Sequence, residues 1–144
     1  MDNSVEIPGY KYYVDPLTGS RPDVFVAFLN IAASPGGRVN GRLTEVSPGE
    51  LAELDRRERN YARVDVTDGM AGAVGGTVWS YVGTREARDR FTRGLGTGRV
   101  VVQEDYYEQV RRAFADAAPD GLADFERLTA PPSCPIIGLR RVDL

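Results

Sequence analysis

Histidine is absent from this 144-residue chain. Its absence excludes Ser-His-Asp and Cys-His nucleophile pairs, the usual zinc ligand sets and any imidazole proton shuttle. Acid–base chemistry therefore falls to a carboxylate, a tyrosine or a lysine. Lysine is nearly absent too: Lys11 is the only one, and arginine supplies the rest of the 18 basic side chains. The single cysteine, Cys134, rules out an internal disulfide and fits a reducing compartment. Its neighbours Ser133 and Pro135 include no basic group that would activate a thiol. No apolar run is long enough to cross a bilayer, and the polar start Met1-Asp2-Asn3-Ser4 is unlike a secretory signal, so a cytoplasmic location is expected. The glycines of Gly94-Leu95-Gly96-Thr97-Gly98 precede a strand-like run instead of opening a helix, which makes a weak phosphate loop. Neither a metal nor a cofactor is expected.

What is present has the balance of a globular protein: 42% apolar and 27% charged residues. The length favours one domain, residues 1–144, around a single core. A net charge of −3 argues against nucleic-acid binding, which needs a clustered basic surface. Arg56-Arg57-Glu58-Arg59 and Arg140-Arg141 are locally basic and read as solvated surface.

Residues 11–14 read as a short strand and Asp15-Pro16-Leu17-Thr18-Gly19 as a turn. Residues 24–31 are mostly apolar and read as a strand buried on both faces. Ser34-Pro35-Gly36-Gly37 then turns the chain into residues 38–46, predicted to pair with it antiparallel. Ser47-Pro48-Gly49-Glu50 carries a capping box and a proline at the first helical position, so a helix starts there. Its inward stripe is Leu51 and Leu54, and continuing that stripe by four residues reaches Glu58. Residues 61–66 and 77–82 alternate as a hairpin around a glycine-rich loop at 68–76. Thr84 caps a helix through Phe91, residues 99–102 form a β-branched strand, and a strong helix spans about 104–118. Its stripe is Tyr106, Val110, Ala113 and Ala117, with Tyr107 and Phe114 beside it. Pro119 and Gly121 end it, a further helical segment covers Leu122, Phe125 and Leu128, and Pro131-Pro132-Ser133-Cys134-Pro135 is too proline-rich for regular structure.

Several of these pieces resemble one family in both content and order. Val39-Asn40-Gly41-Arg42-Leu43 is similar to a V-x-G-x-L/V strand, and Leu51-Ala52-Glu53-Leu54-Asp55-Arg56-Arg57-Glu58 to an L-x-x-L-D-x-x-E helix. Tyr61-Ala62-Arg63-Val64 is similar to a Y-x-R-V strand, Val78-Trp79-Ser80-Tyr81 to V-W-x-Y, and Gln103-Glu104-Asp105-Tyr106 to the approach to a helix bearing a tyrosine. Pro8-Gly9-Tyr10-Lys11, Asn30-Ile31 and Ser34-Pro35-Gly36 fit the strands before them. The family is that of the gamma-glutamylcyclotransferase-like enzymes, and the resemblance runs from Pro8 to about Ala115. It implies an α+β fold, a small mixed β-barrel flanked by helices. One element departs: family members open with a Y-G-S-x loop whose backbone amides hold the substrate carboxylate. Met1 leaves no room for that loop ahead of Tyr10, so the expectation is a truncated gene product, a wrong start codon or a genuine short form with altered function, and an active chain would hold the carboxylate through other groups, its own or a second chain's.

The resemblance also implies a reaction. Glu58 matches the glutamate that serves as general base and acid in cyclising a γ-glutamyl amide to 5-oxoproline and a free amine. Lost hydration on an apolar stripe and the partial negative charge of a helix C-terminus both favour a carboxylate's protonated form, which suits that role. The plainer alternative is a surface pair with Arg59 or Arg63. Tyr106 matches a tyrosine of the substrate pocket, and a core aromatic is its plainer reading. Asp55 reads as a residue that orients the turn before Tyr61, and Trp79 and Tyr81 as packing. The expected partner is a small γ-glutamyl amine or peptide. The alternatives are a non-catalytic interaction module on the same fold, or a different cyclisation or lyase step through Glu58. A barrel short of a strand would expose an edge, which a homodimer could cover.

Overall fold

The computed structural model describes residues 1–6, 10–72 and 74–144. They form an α+β fold with four helices and, among the described residues, three separate sheets of two, three and two strands. Strand β1 (Lys11–Val14) pairs antiparallel with β7 (Arg140–Asp143), setting Lys11 opposite Asp143. Strand β2 (Phe25–Ala27) lies parallel to β5 (Val100–Gln103), which pairs parallel with β6 (Ile136–Ile137). Strands β3 (Tyr61–Asp65) and β4 (Trp79–Gly83) make the expected hairpin.

The core lies between the first two sheets. Tyr13, Val26, Val101 and Leu139 are buried together, with Met1, Val24, Phe28 and Ile137 packed around them. All four residues of β5 are buried, because this central strand has a neighbour on each edge and helices against its face. Asn3 is fully buried as well. Its Nδ2 donates to the carbonyls of Tyr13 (2.9 Å) and Pro22 (3.0 Å), and its Oδ1 accepts from Tyr13 N (2.8 Å), so one amide ties β1 to the segment before β2.

Helix α1 (Pro48–Arg57) starts as its sequence dictates. The Ser47 hydroxyl accepts from Glu50 N (3.3 Å), and a Glu50 oxygen accepts from Ser47 N (2.7 Å). Helix α2 (Arg85–Gly96) begins at its Thr84 cap, and its Gly94 lies flush against β5 and β2. Helix α3 (Glu104–Ala117) takes Gln103 as cap and turns back into α4 (Gly121–Leu128), where the Phe114 and Phe125 rings stack at 4.2 Å.

Four expectations are corrected. Residues 38–46 form no strand and are largely exposed, so the segment similar to V-x-G-x-L/V is irregular. The physical reason is edge occupancy: β2 pairs with β5 on one side, and residues 1–3 run along the other. Asn3 N donates to Val24 O (2.9 Å) and Val26 N to Met1 O (2.8 Å), closing that edge. The run 24–31 is strand only at Phe25–Ala27, and beyond Phe28 it becomes irregular backbone. On α1, Leu51 and Leu54 are only half-buried, and no residue of that helix is fully buried. Ala113 and Ala117 of α3 are exposed, so its inner stripe is Tyr106, Tyr107, Val110 and Phe114. The C-terminal strands β6 and β7 are additions to the sequence reading. Pro8 and Gly9 of the resemblance, and Ala73 of the glycine-rich loop, lie outside the described residues.

Candidate functional site

A cleft of about 1050 Å³ opens where β1, the segment after β2, the turn after α1, β4, α2 and the start of α3 meet. Glu58 and Tyr106, far apart in sequence, both line it.

Glu58 is the residue that ends α1. Its N–H still donates to Leu54 O (2.9 Å), while its own carbonyl accepts from Tyr61 N (3.0 Å) and starts the turn into β3. The side chain is 26% exposed, and its Oε1 accepts from Arg57 Nε at 3.0 Å. Neither of the expected alternatives, Arg59 and Arg63, pairs with it. Arg59 stands over the Tyr10 ring (5.9 Å), and Arg63 pairs with Asp55 (3.2 Å) while stacking on Trp79 (4.8 Å). Among the described residues, Glu58 Oε2 has no hydrogen-bond partner and remains available to a ligand.

Asp55 makes its side-chain bonds to the hairpin instead of the turn before Tyr61. One oxygen pairs with Arg63, and the other accepts from the Tyr81 hydroxyl (2.7 Å), which fastens α1 to the β3–β4 hairpin.

Tyr106 sits in the first turn of α3, close behind the Gln103 cap. Its hydroxyl accepts from Leu29 N (2.9 Å), so its own proton is free to be donated. The Tyr61 hydroxyl donates to Leu29 O (3.1 Å). The backbone N–H and C=O of one residue, Leu29, are thus each held by a phenol. Phe28 meets the Tyr106 ring edge-on at 5.0 Å, and Asn30 Oδ1 accepts from Gly83 N (2.7 Å), fixing the irregular segment after β2 to β4.

Burial raises the Tyr61 hydroxyl to about 12, with Tyr106, Glu58 and Tyr10 adding to the shift. Burial also raises Tyr106, opposed by its Leu29 bond and helped by Glu58. Both phenols are hydrogen-bonding groups at neutral pH, not bases. The cleft has two side-chain carboxylates, Glu58 and Asp143. Asp143 accepts from both Nε (2.8 Å) and Nη2 (2.5 Å) of Arg141. Both bonds fall on Asp143 Oδ1, so among the described residues each carboxylate keeps one oxygen without a partner; Glu58, 26% exposed against 68% for Asp143, is the more enclosed of the two.

Lys11, Tyr61 and the Leu29 peptide were not singled out from sequence as site residues. The one legible signal was Lys11 as the only lysine, beside Tyr10. Cys134 lies outside this cleft, half-buried, with its thiol pushed up by burial. Gly94 and Gly96 belong to the end of α2. Among the described residues no cluster of three His, Cys, Asp or Glu side chains could hold a metal ion, and no helix is long and apolar enough to cross a membrane. Compared with family models, with curated proteins and with solved structures, the chain has no match.

Proposed function

We propose that the chain is a gamma-glutamylcyclotransferase-like enzyme that cleaves a γ-glutamyl amide to 5-oxoproline and a free amine. The observation that carries the reading is that Glu58 and Tyr106 line one cleft. In the proposed reaction the free Glu58 oxygen takes a proton from the substrate α-amine. The amine nitrogen forms a bond to the γ-carbonyl carbon, and the amide C–N bond breaks. Glu58 returns its proton to the departing nitrogen, which leaves as the amine. Tyr106 donates its unused O–H to the bound substrate. The same reading takes the β1–β7 and β2–β5–β6 sheets, packed around Val26, as parts of one small barrel.

The test is 5-oxoproline release from a panel of γ-glutamyl amines, comparing wild type with Glu58→Gln. Release that falls at least about a hundredfold in the variant is expected, the scale of a general acid–base. Equal rates in the two proteins would remove Glu58 from the reaction.

A second reading, a non-catalytic module that pairs with a second copy, draws on a different observation. The chain exposes 9918 Å², where a globular chain of its 15.8 kDa mass exposes about 7300 Å². A folded dimer in sedimentation that releases no 5-oxoproline from any panel member would favour it.

A further inference from the structure

The charges lining the cleft do not balance. The side chains of Lys11, Arg56, Arg57, Arg59, Arg88 and Arg141 face two side-chain carboxylates, Glu58 and Asp143, in a chain whose net charge is −3. Most of the cations are already engaged. Arg56 bonds to Glu53, Arg57 to Glu58 (3.0 Å), Arg88 to the Gly83 carbonyl (2.6 Å), and Arg141 to Asp143 (2.8 Å). Lys11 and Arg59 remain. Among the described residues neither side chain has a hydrogen bond or an ion pair, and each rests on an aromatic face: Lys11 on Phe28 (4.8 Å), Arg59 on Tyr10 (5.9 Å).

Lys11 is the more telling of the two. Asp143 is directly opposite it across the β1–β7 ladder, the natural place for a counter-ion, yet its Oδ1 bonds Arg141 and neither of its oxygens pairs with Lys11. Burial lowers the Lys11 ammonium from its ordinary value, and Arg141 adds to the shift, while Asp143 and Glu58 oppose it. An ammonium that has lost part of its hydration without gaining an acceptor is costly, and an aromatic face compensates only part of that loss. Its nitrogen is not sealed away, since no buried side-chain nitrogen or oxygen among the described residues lacks a partner. It therefore opens to the cleft, where an anion can reach it.

We infer that Lys11, with Arg59 lining the same cleft, is the counter-ion for the carboxylate of a small molecule bound there, the identity of that molecule resting on the proposed function. Glu58 lines the same cleft and bears on the Lys11 charge, so a carboxylate at Lys11 would carry the α-amine on its neighbouring carbon toward Glu58. The two groups that a γ-glutamyl head presents, one negative and one basic, would then meet a cation and a carboxylate.

Calorimetric binding to the full chain tests this with 5-oxoproline, its neutral carboxamide, glutarate and inorganic phosphate. Wild type is expected to bind 5-oxoproline at least about tenfold tighter than the carboxamide, the scale of one charge-assisted contact. Lys11→Met keeps the aliphatic stem on Phe28 and should abolish that preference, whereas Lys11→Arg should keep it. Equal binding of acid and carboxamide by wild type, which needs no variant to fold, would overturn the inference. So would phosphate bound more tightly than either carboxylate, or no carboxylate bound at millimolar concentration. Glutarate held through Lys11 in a protein that turns over no γ-glutamyl amide would support the anion site while the reaction fails. Turnover with KM unchanged in Lys11→Met would sink the inference and leave the reaction standing.

Discussion

Asn3 shows how much one side chain can hold. Its amide satisfies both backbone groups of Tyr13 and one of Pro22 inside the core. Asn3→Leu leaves those groups buried without partners and should cost roughly 2–3 kcal/mol, read as a lower denaturation midpoint. Nothing in the polar run Met1-Asp2-Asn3-Ser4 announced this role, because a polar residue reads as surface until its partners are known. Tyr13 and Tyr61 make a second prediction at this scale. Burial raises both hydroxyls from 10.0 to about 12. In the pH window between those values the unfolded chain loses protons that the folded chain keeps. Stability that is full below pH 10 should therefore fall as pH rises toward 12. Thermal melts across that window check it, and Tyr61→Phe should flatten the decline.

At the scale of elements, the sequence was legible wherever the signal was local. Ser47 and Glu50 start α1, Thr84 starts α2, and alternation predicts the β3–β4 hairpin, because each depends on groups a few residues apart. It failed where a strand depends on its neighbours. Residues 38–46 have strand-like residues but no free edge of β2 to join, while Arg140–Asp143 becomes a strand because β1 offers one. The site followed the same division: Glu58 and Tyr106 were marked by motif, whereas Lys11 gains meaning only from the ion pairs around it. The α3–α4 turn makes the prediction here. A Cβ on Gly121 would stand 2.1 Å from the Phe114 carbonyl oxygen, a backbone atom that cannot swing aside. Gly121→Ala should push α4 from α3, separate the Phe114–Phe125 stack and cost about 1–3 kcal/mol. A urea titration should show a lower midpoint.

For the whole molecule, the exposed area is the telling quantity. At 9918 Å² the folded chain buries about one-sixth less surface than a globular protein of equal mass. The slope of unfolding free energy against urea scales with the surface exposed on unfolding. The monomer should therefore show a slope about one-sixth below that of a compact protein of this length. A slope at the compact value would mean that the cleft and its surroundings close in solution.

The arrangement around Trp79 has an optical consequence. The only tryptophan pairs with Asp65 on the hairpin, lies under Arg63, and is not part of the cleft wall. Arg63 in turn is held by Asp55 of α1. Selectively excited tryptophan emission will therefore follow the seating of the hairpin on α1 and stay blind to what fills the cleft. Tyrosine absorbance, from Tyr10, Tyr61, Tyr81 and Tyr106 in its walls, is the native dye that would respond to a molecule entering it.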